Sequence, residues 1–90
     1  MKTASERYLV ELADDFLSTQ ISAGFDQLAK SEFRGETVWI DPNDQEPGVE
    51  VEVNIRRNED AIEIEVVAYQ PGDGDEVIAS VTRKARVVSQ

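Results

Sequence analysis

Residues 49–56 read VEVEVNIR, with an apolar side chain at every odd position and a polar one at every even position. Residues 62–69 read IEIEVVAY and alternate in the same way, with the apolar residues at even positions until Val67. Successive side chains of a strand point to opposite faces, so the pattern predicts two strands with one buried and one solvated face. Strands of this kind indicate an antiparallel sheet, because parallel sheets usually have both faces covered.

Two further strands are predicted on either side of this pair. Residues 37–40 read TVWI, and residues 77–88 form a longer run in which Val and Ala alternate with other residues. The segments between the strands are short and rich in Pro, Gly, Asn and Asp. Short connections favour antiparallel neighbours, so the four strands are expected to form a meander.

The N-terminal third of the chain predicts a helix. Thr3 and Glu6 fit a capping box, with Ser5 as the alternative cap. Apolar residues then recur at intervals of three and four. A break is expected near Ser22–Gly24, and Gly35 is a typical residue beyond a helix end. The predicted apolar stripe comprises Leu9, Leu12, Ala13, Phe16, Leu17, Ile21, Phe25, Leu28 and Ala29.

These elements predict a single α+β domain over residues 1–90, in the order α-β-β-β-β, with a helical part at 4–33 and a sheet part at 36–88. The helix is expected to pack on one face of the four-stranded antiparallel meander. The strand residues expected in the core are Val38, Ile40, Val51, Val53, Ile55, Ile62, Ile64, Val66, Val77, Ala79 and Val81.

Composition excludes several classes of function. The 90 residues contain 19 Asp and Glu against 9 Lys and Arg, a formal net charge of −10, with no His and no Cys. The acidity argues against direct binding of nucleic acid or of an anionic membrane surface. The missing residue types exclude disulfides, imidazole or thiol catalysis, and the usual zinc, haem and iron–sulfur ligands. We therefore expect no cofactor.

No stretch is apolar enough for a signal peptide or a membrane-spanning helix. With a Met at its start and no Cys, the chain is expected to be cytoplasmic.

Two loops are rich in oxygen ligands. Asp73, Asp75 and Glu76 lie in a Gly-rich turn and are the weak candidates for a Ca²⁺ site, although their spacing differs from that of an EF-hand. An ordinary hairpin turn is the favoured interpretation, so no metal site is predicted. The same holds for the second loop, which carries Asp41, Asn43, Asp44 and Glu46.

An acidic face is predicted on the two middle strands, formed by Glu50, Glu52, Glu63 and Glu65. A two-residue turn at Asn58 and Glu59 would place Glu52 opposite Glu65 and Arg56 opposite Ala61. Paired carboxylates can act as general acid and base, but only in a cleft that separates their pKa values. A solvated acidic face is the favoured interpretation, and no catalytic residue is assigned.

Basic residues occur in two clusters, Arg56–Arg57 and Arg83, Lys84 and Arg86. Either cluster could hold a phosphate or an acidic partner, but internal charge balance is the favoured interpretation. Arg83 stands on the core-facing side of its strand, which suggests the end of the sheet, a side chain that reaches out to solvent, or a bulge.

Apolar residues also interrupt the polar face of the sheet. Trp39, Val67, Tyr69 and Ile78 are predicted to meet there as an interaction patch, and side chains lying flat on the sheet are the alternative. The strand at residues 77–88 is longer than its predicted neighbour, and Val87 and Val88 make its overhang apolar. The patch and the overhang together predict a homodimer.

The function that fits these features is a small acidic, non-catalytic protein-interaction module of the adaptor, inhibitor or antidote type, with a protein partner that would carry basic charge. The alternative is a small ligand- or Ca²⁺-binding domain or a carboxylate-based enzyme. A third interpretation assigns the acidity to solubility or to a high-salt cytosol.

Overall fold

The computed structural model describes residues 2–30 and 33–89, and it confirms the predicted α+β fold. One helix precedes four strands, which form a single antiparallel sheet in the order β1-β2-β3-β4. The elements are α1 (Glu6–Leu28), β1 (Phe33–Ile40), β2 (Val49–Asn58), β3 (Ala61–Pro71) and β4 (Val77–Val88).

The helix covers one face of the sheet, here called the inner face. It packs against β3 and β4, touches β2 less, and reaches β1 through the hydrogen bond from Arg34 to Gln20. The alternation in the sequence explains this core, because the odd residues of β2 and the even residues of β3 all point to the helix. The largest fully buried side chains are Leu9, Val49, Val51, Val53, Ile55, Ile62, Ile64 and Val66.

The helix begins at Glu6, later than a capping box with Thr3 as the N-cap predicts. Ser5 is the N-cap, and its hydroxyl accepts a hydrogen bond from the Tyr8 amide at 3.2 Å. The alternative cap is therefore correct and the Thr3 box is wrong. The tertiary structure gives the reason, because the backbone beside Thr3 is held by other elements.

The segment before the helix is anchored by two side chains from the sheet region. Gln70, on the inner face of β3, accepts from the Ala4 amide at 2.7 Å and donates to the Lys2 carbonyl at 2.9 Å. Glu46, in the β1–β2 loop, accepts from the Ser5 amide at 2.9 Å. Gln70 is only 3% exposed and is the sole buried polar side chain among the described residues. Its amide thus fixes where the chain enters the helix.

A kink interrupts the helix at Gly24, within the predicted break at Ser22–Gly24. Gly24 has φ 82° and ψ 163°, a conformation that is essentially restricted to glycine. The last turn after the kink places Leu28 in the core. The break therefore redirects the end of the helix without ending it.

The boundary between helix and sheet differs from the prediction. The helix ends at Leu28, and β1 begins at Phe33 instead of Thr37. Positions 31 and 32, which the predicted helical part 4–33 includes, lie outside the described residues. Gly35 lies inside β1, opposite Asn54, and does not terminate the helix. The apolar pattern did not predict the first half of β1, because most of this strand is exposed on both faces.

The turn between β2 and β3 lies one residue further along the chain than predicted. Asn58 pairs with Ala61, so the turn residues are Glu59 and Asp60, and Glu59 adopts a left-handed φ of 54°. This moves the register by two residues. Glu52 therefore lies opposite Val67, not Glu65, and the predicted pair of facing carboxylates is absent from the β2–β3 ladder.

Two predicted core residues are largely exposed. Val77 is 53% exposed at the start of β4, and Ile21 is 43% exposed on the helix. Val77 sits beyond a register shift at Gln70 and Pro71, which turns it away from the core. The bulge of the sheet is thus at this end and not at Arg83.

The end of β4 is paired, contrary to the expectation of an apolar overhang. β3 begins at Ala61, so Val87 and Val88 lie opposite Ile62 and Ala61. The overhang was one of the two reasons for expecting a homodimer. Self-association itself stays a prediction.

No helix within residues 2–30 and 33–89 has the length and apolar character that crossing a membrane requires.

Candidate functional site on the outer face of the sheet

The face of the sheet opposite the helix, here called the outer face, has no covering element in the described part of the chain. Alternate residues of all four strands line it, and the register places them in four rows that run across the sheet. From one end to the other, the rows are Phe33, Arg56, Glu63 and Arg86; Gly35, Asn54, Glu65 and Lys84; Thr37, Glu52, Val67 and Thr82; and Trp39, Glu50, Tyr69 and Ser80.

One end of the outer face is acidic. Glu50 and Glu52 of β2 line a shallow depression together with Val67 and Tyr69 of β3. The β3–β4 loop closes the same depression with Asp75 and Glu76. We call these six residues the acidic end. Strand and loop together bring four carboxylates beside Tyr69, Val67 and Val77, and the described lining residues include no Lys or Arg.

Tyr69 links the two glutamates of the acidic end through its hydroxyl. Its hydroxyl donates to a Glu50 carboxylate oxygen and lies 3.4 Å from Glu52 Oε1. The hydrogen bond to Glu50, followed by desolvation and the nearby negative charges, raises the pKa of Tyr69 to about 12. The protonated phenol thus ties the Glu50 side chain of β2 to β3.

The other end of the outer face carries charges of both signs. Arg56, Lys84 and Arg86 alternate with Glu63 and Glu65 around a second, larger depression, which Phe33 and Asn54 also line. Arg56 lies opposite Glu63, which in turn lies opposite Arg86. The corrected register thus splits the predicted acidic face. Glu50 and Glu52 lie at the acidic end, whereas Glu63 and Glu65 lie among cations.

The predicted patch of Trp39, Val67, Tyr69 and Ile78 is not contiguous. Val67 and Tyr69 share the acidic end, but Glu50 lies between Tyr69 and Trp39 in their row. Ile78 is half-buried at the register shift, outside the lining of the depression.

Trp39 lies flat against the start of β2. Its ring covers Gly48 so closely that a Cβ at Gly48 would overlap it, and its indole N–H donates to Asp41 Oδ1 at 2.9 Å. Phe33 similarly lies over Gly35, with ring carbons 3.5 and 3.6 Å from the position a Cβ would take. Both exposed aromatics therefore have a packing role on an edge strand.

The Gly-rich loop that holds Asp73, Asp75 and Glu76 is a hairpin turn. The Glu76 amide donates to the Asp73 carbonyl at 3.1 Å, the Gly72 amide donates to the Glu76 carbonyl at 2.8 Å, and Gly74 has φ 61°. Within residues 2–30 and 33–89, no group of three or more Asp and Glu side chains is arranged to hold a metal ion. The turn instead delivers Asp75 and Glu76 to the acidic end.

The second oxygen-rich loop uses its polar groups internally. Asn43 Oδ1 accepts from the amides of Gln45 and Glu46 at 2.8 and 2.9 Å, an Asx turn. Asp41 accepts from Trp39, and the Asp44 carbonyl accepts from Lys2 Nζ at 2.9 Å.

The basic clusters largely bind the chain's own groups. Arg83 Nε contacts Asp14 Oδ1 of the helix at 3.1 Å, which explains a cation on the inner face. Lys84 contacts Glu65 at 3.5 Å, and Arg57 donates to the Ala29 carbonyl near the helix end at 3.3 Å. Internal charge balance therefore describes Arg83 and Lys84, whereas Arg57 binds a neutral backbone carbonyl.

No protein-family model, no curated protein sequence and no solved structure matches this chain.

Sequence reasoning missed two contributions. The loop carboxylates Asp75 and Glu76 were assessed only as metal ligands, and the fold joins them to Glu50 and Glu52. Gln70 lies one residue beyond the predicted strand at residues 62–69, yet it continues the even, core-facing positions of β3. A polar residue at a core-facing position, directly after an alternating run, was the signal that could have identified it.

Proposed function

We propose that the protein is a non-catalytic interaction module that binds a basic segment of a partner protein at the acidic end of its outer face. The observation that carries this proposal is the depression that Glu50, Glu52, Asp75 and Glu76 line together with Val67 and Tyr69. Carboxylates around an apolar and aromatic floor suit Lys or Arg side chains, whose stems pack while their charged ends pair.

The charge of the whole chain supports the same partner class. A net charge of −10 attracts a cationic partner over distance and raises the rate of encounter. The pairs formed at an exposed depression are each weak, so affinity would come from several of them together with the apolar contact. Binding should therefore weaken as salt concentration rises.

Affinity capture from the native host, with elution in salt steps, would isolate the partner. The affinity of the purified partner is then compared between wild type and a double variant with Glu50→Gln and Glu52→Gln. Both amides can still accept from Tyr69, so the local hydrogen bonds are retained. Glu36→Gln with Glu59→Gln removes the same charge from positions outside the outer face and is the matched control.

We expect the Glu50 and Glu52 double variant to lose about tenfold in affinity and the control to lose much less, because only the first removes local contacts. Equal losses in the two variants would assign the effect to net charge alone. That result, or binding that does not depend on salt, would contradict the proposal.

A further inference from the structure

The outer edge of β4 is, like that of β1, a strand edge that the sheet leaves unpaired among the described residues. β4 runs over 12 residues, pairs with β3 on one side, and has no strand on its other side in the described part of the chain. In an antiparallel ladder, about half of the residues direct their N–H and C=O groups to each side. The outer edge of β4 therefore offers a row of unpaired donors and acceptors to an added strand.

The charge of β4 is opposite to that of the chain. It contains Arg83, Lys84 and Arg86 and no Asp or Glu, within a chain of net charge −10. Lys and inward-pointing charges often protect an open edge against pairing. Here Arg83 is held by Asp14 of the helix, and Lys84 leans towards Glu65 of β3. The contact of Arg83 directs that cation to the helix, whereas the Lys84 side chain stays 72% exposed beside the open edge.

The existing partner of β4 shows what kind of strand its side chains accept. On the outer face, Glu63 lies opposite Arg86 and Glu65 lies opposite Lys84. On the inner face, Ile62 and Ile64 lie opposite Val87 and Ala85. The same β4 side chains flank the open edge, so a strand with the same alternation would meet the same charges and the same apolar surface.

We propose that the open edge of β4 binds an extended segment of a partner protein in which carboxylates alternate with apolar residues. This surface is distinct from the acidic end and does not depend on the function proposed above. A second copy of this chain is a poor occupant. Two β4 strands would bring six cations together, and the strands with alternating Glu, β2 and β3, lie inside the sheet.

The test uses the full chain and two capped synthetic peptides, TVEVEVT and its charge-reversed counterpart TVKVKVT. Amide hydrogen exchange and chemical-shift changes would locate binding. We expect the acidic peptide to slow exchange of alternate amides in β4, and the basic peptide to leave them unchanged. Protection of β1 amides, shifts confined to the acidic end, equal binding of both peptides, or no binding of the acidic peptide would each overturn the proposal.

Charge reversal on β4 tests the contribution of its side chains. Lys84→Glu with Arg86→Glu should weaken the acidic peptide about tenfold or more, because two attractive cross-strand pairs become repulsive. Both residues are exposed, but the new carboxylates would face Glu65 and Glu63 of β3, so circular dichroism must first show that the variant is folded. Arg7→Glu with Lys30→Glu changes the net charge equally on exposed positions and should change affinity less. Equal effects of the two double variants would contradict a local role for β4.

Peptides N-methylated at alternate residues provide a second measurement that leaves the protein unaltered. Each of the two alternating patterns blocks one edge of the peptide strand. One pattern should abolish binding and the other should retain it. Retention by both would exclude strand addition. Concentration-dependent protection of β4 amides without any peptide would identify a second copy as the occupant and overturn the proposal.

Discussion

Replacing Gln70 by Leu should loosen the start of the helix, because one buried amide holds the backbone there. The Gln70 side chain accepts from the Ala4 N–H at 2.7 Å and donates to the Lys2 carbonyl at 2.9 Å. Leu has a similar volume, so the change removes two hydrogen bonds without creating a large cavity. Ala4 is 5% exposed, and its N–H would lose its partner out of reach of water.

The cost follows from the burial of these groups. The buried Ala4 N–H would be left without an acceptor, which costs about 1–3 kcal/mol. Loss of the hydrogen bond to the exposed Lys2 carbonyl costs less, because water can take the place of the Gln70 amide. The greater apolarity of Leu at a 3% exposed site offsets part of this loss. We expect the free energy of unfolding to fall by about 1.5 kcal/mol. For a domain of this size, that corresponds to a decrease in Tm of about 6–12 °C.

Urea unfolding followed by circular dichroism measures the change, and hydrogen exchange at Ala4 measures its local origin. Gln20→Leu is the matched control. Gln20 also accepts one hydrogen bond, from Arg34 at 2.9 Å, but it lies at the partly exposed side of the helix. We expect the control to lose less than about 0.5 kcal/mol. Equal stability of the two variants, or unchanged exchange at Ala4, would refute the anchoring role of Gln70.

Three further predictions concern two glycine positions and the ionisation of Tyr69. Gly48→Ala should displace the Trp39 ring and lower the free energy of unfolding by about 1–2 kcal/mol. The indole fluorescence should then shift to longer wavelength, and an unchanged emission spectrum would contradict the packing of Trp39 on Gly48. Gly24→Ala should destabilise the protein by about 1–2 kcal/mol in thermal unfolding, because φ 82° strains a residue with a Cβ. This loss is expected although Ala favours helices, and a rise in Tm would show that the kink is not required. Tyr69 should ionise near pH 12 in a tyrosinate absorbance titration, with the other tyrosine replaced by Phe. Because the folded-state pKa lies above the ordinary value of 10.0, the contribution of Tyr69 to stability is complete below pH 10 and is lost as pH rises towards 12. Glu50→Gln should lower that pKa, and an unchanged titration would exclude Glu50 as its main cause.

The alternating stretches of β2 and β3 determined the fold class by themselves. Period-two alternation fixes which side chains share a face, and short polar connections leave little choice but antiparallel neighbours. The break at Gly24 was also evident in the sequence, since a glycine inside an apolar helical pattern weakens the helix at that point. These features depend on neighbouring residues only, which is why one sequence suffices to predict them.

The register of the sheet was decided by the tertiary structure. The apolar pattern of β2 and β3 is the same after a shift of two residues, so it could not choose between turns at Asn58–Glu59 and Glu59–Asp60. That choice separates Glu52 from Glu65 and places Glu63 between Arg56 and Arg86. The division of the outer face into an acidic and a mixed-charge end therefore followed from packing and pairing, not from local pattern.

The remaining differences involve contacts between residues far apart in the chain. Ser5 rather than Thr3 caps the helix in a segment that Gln70 and Glu46 hold from 66 and 41 positions away. Arg83 lies on the inner face with its side chain 41% exposed, where it reaches solvent and pairs with Asp14 of the helix. Sequence alone indicated most of the buried strand residues, because burial in β2 and β3 follows periodicity, but it misplaced Val77, Ile21 and Gln70. Only the tertiary structure decided which polar groups meet, because those contacts require the chain to be folded first.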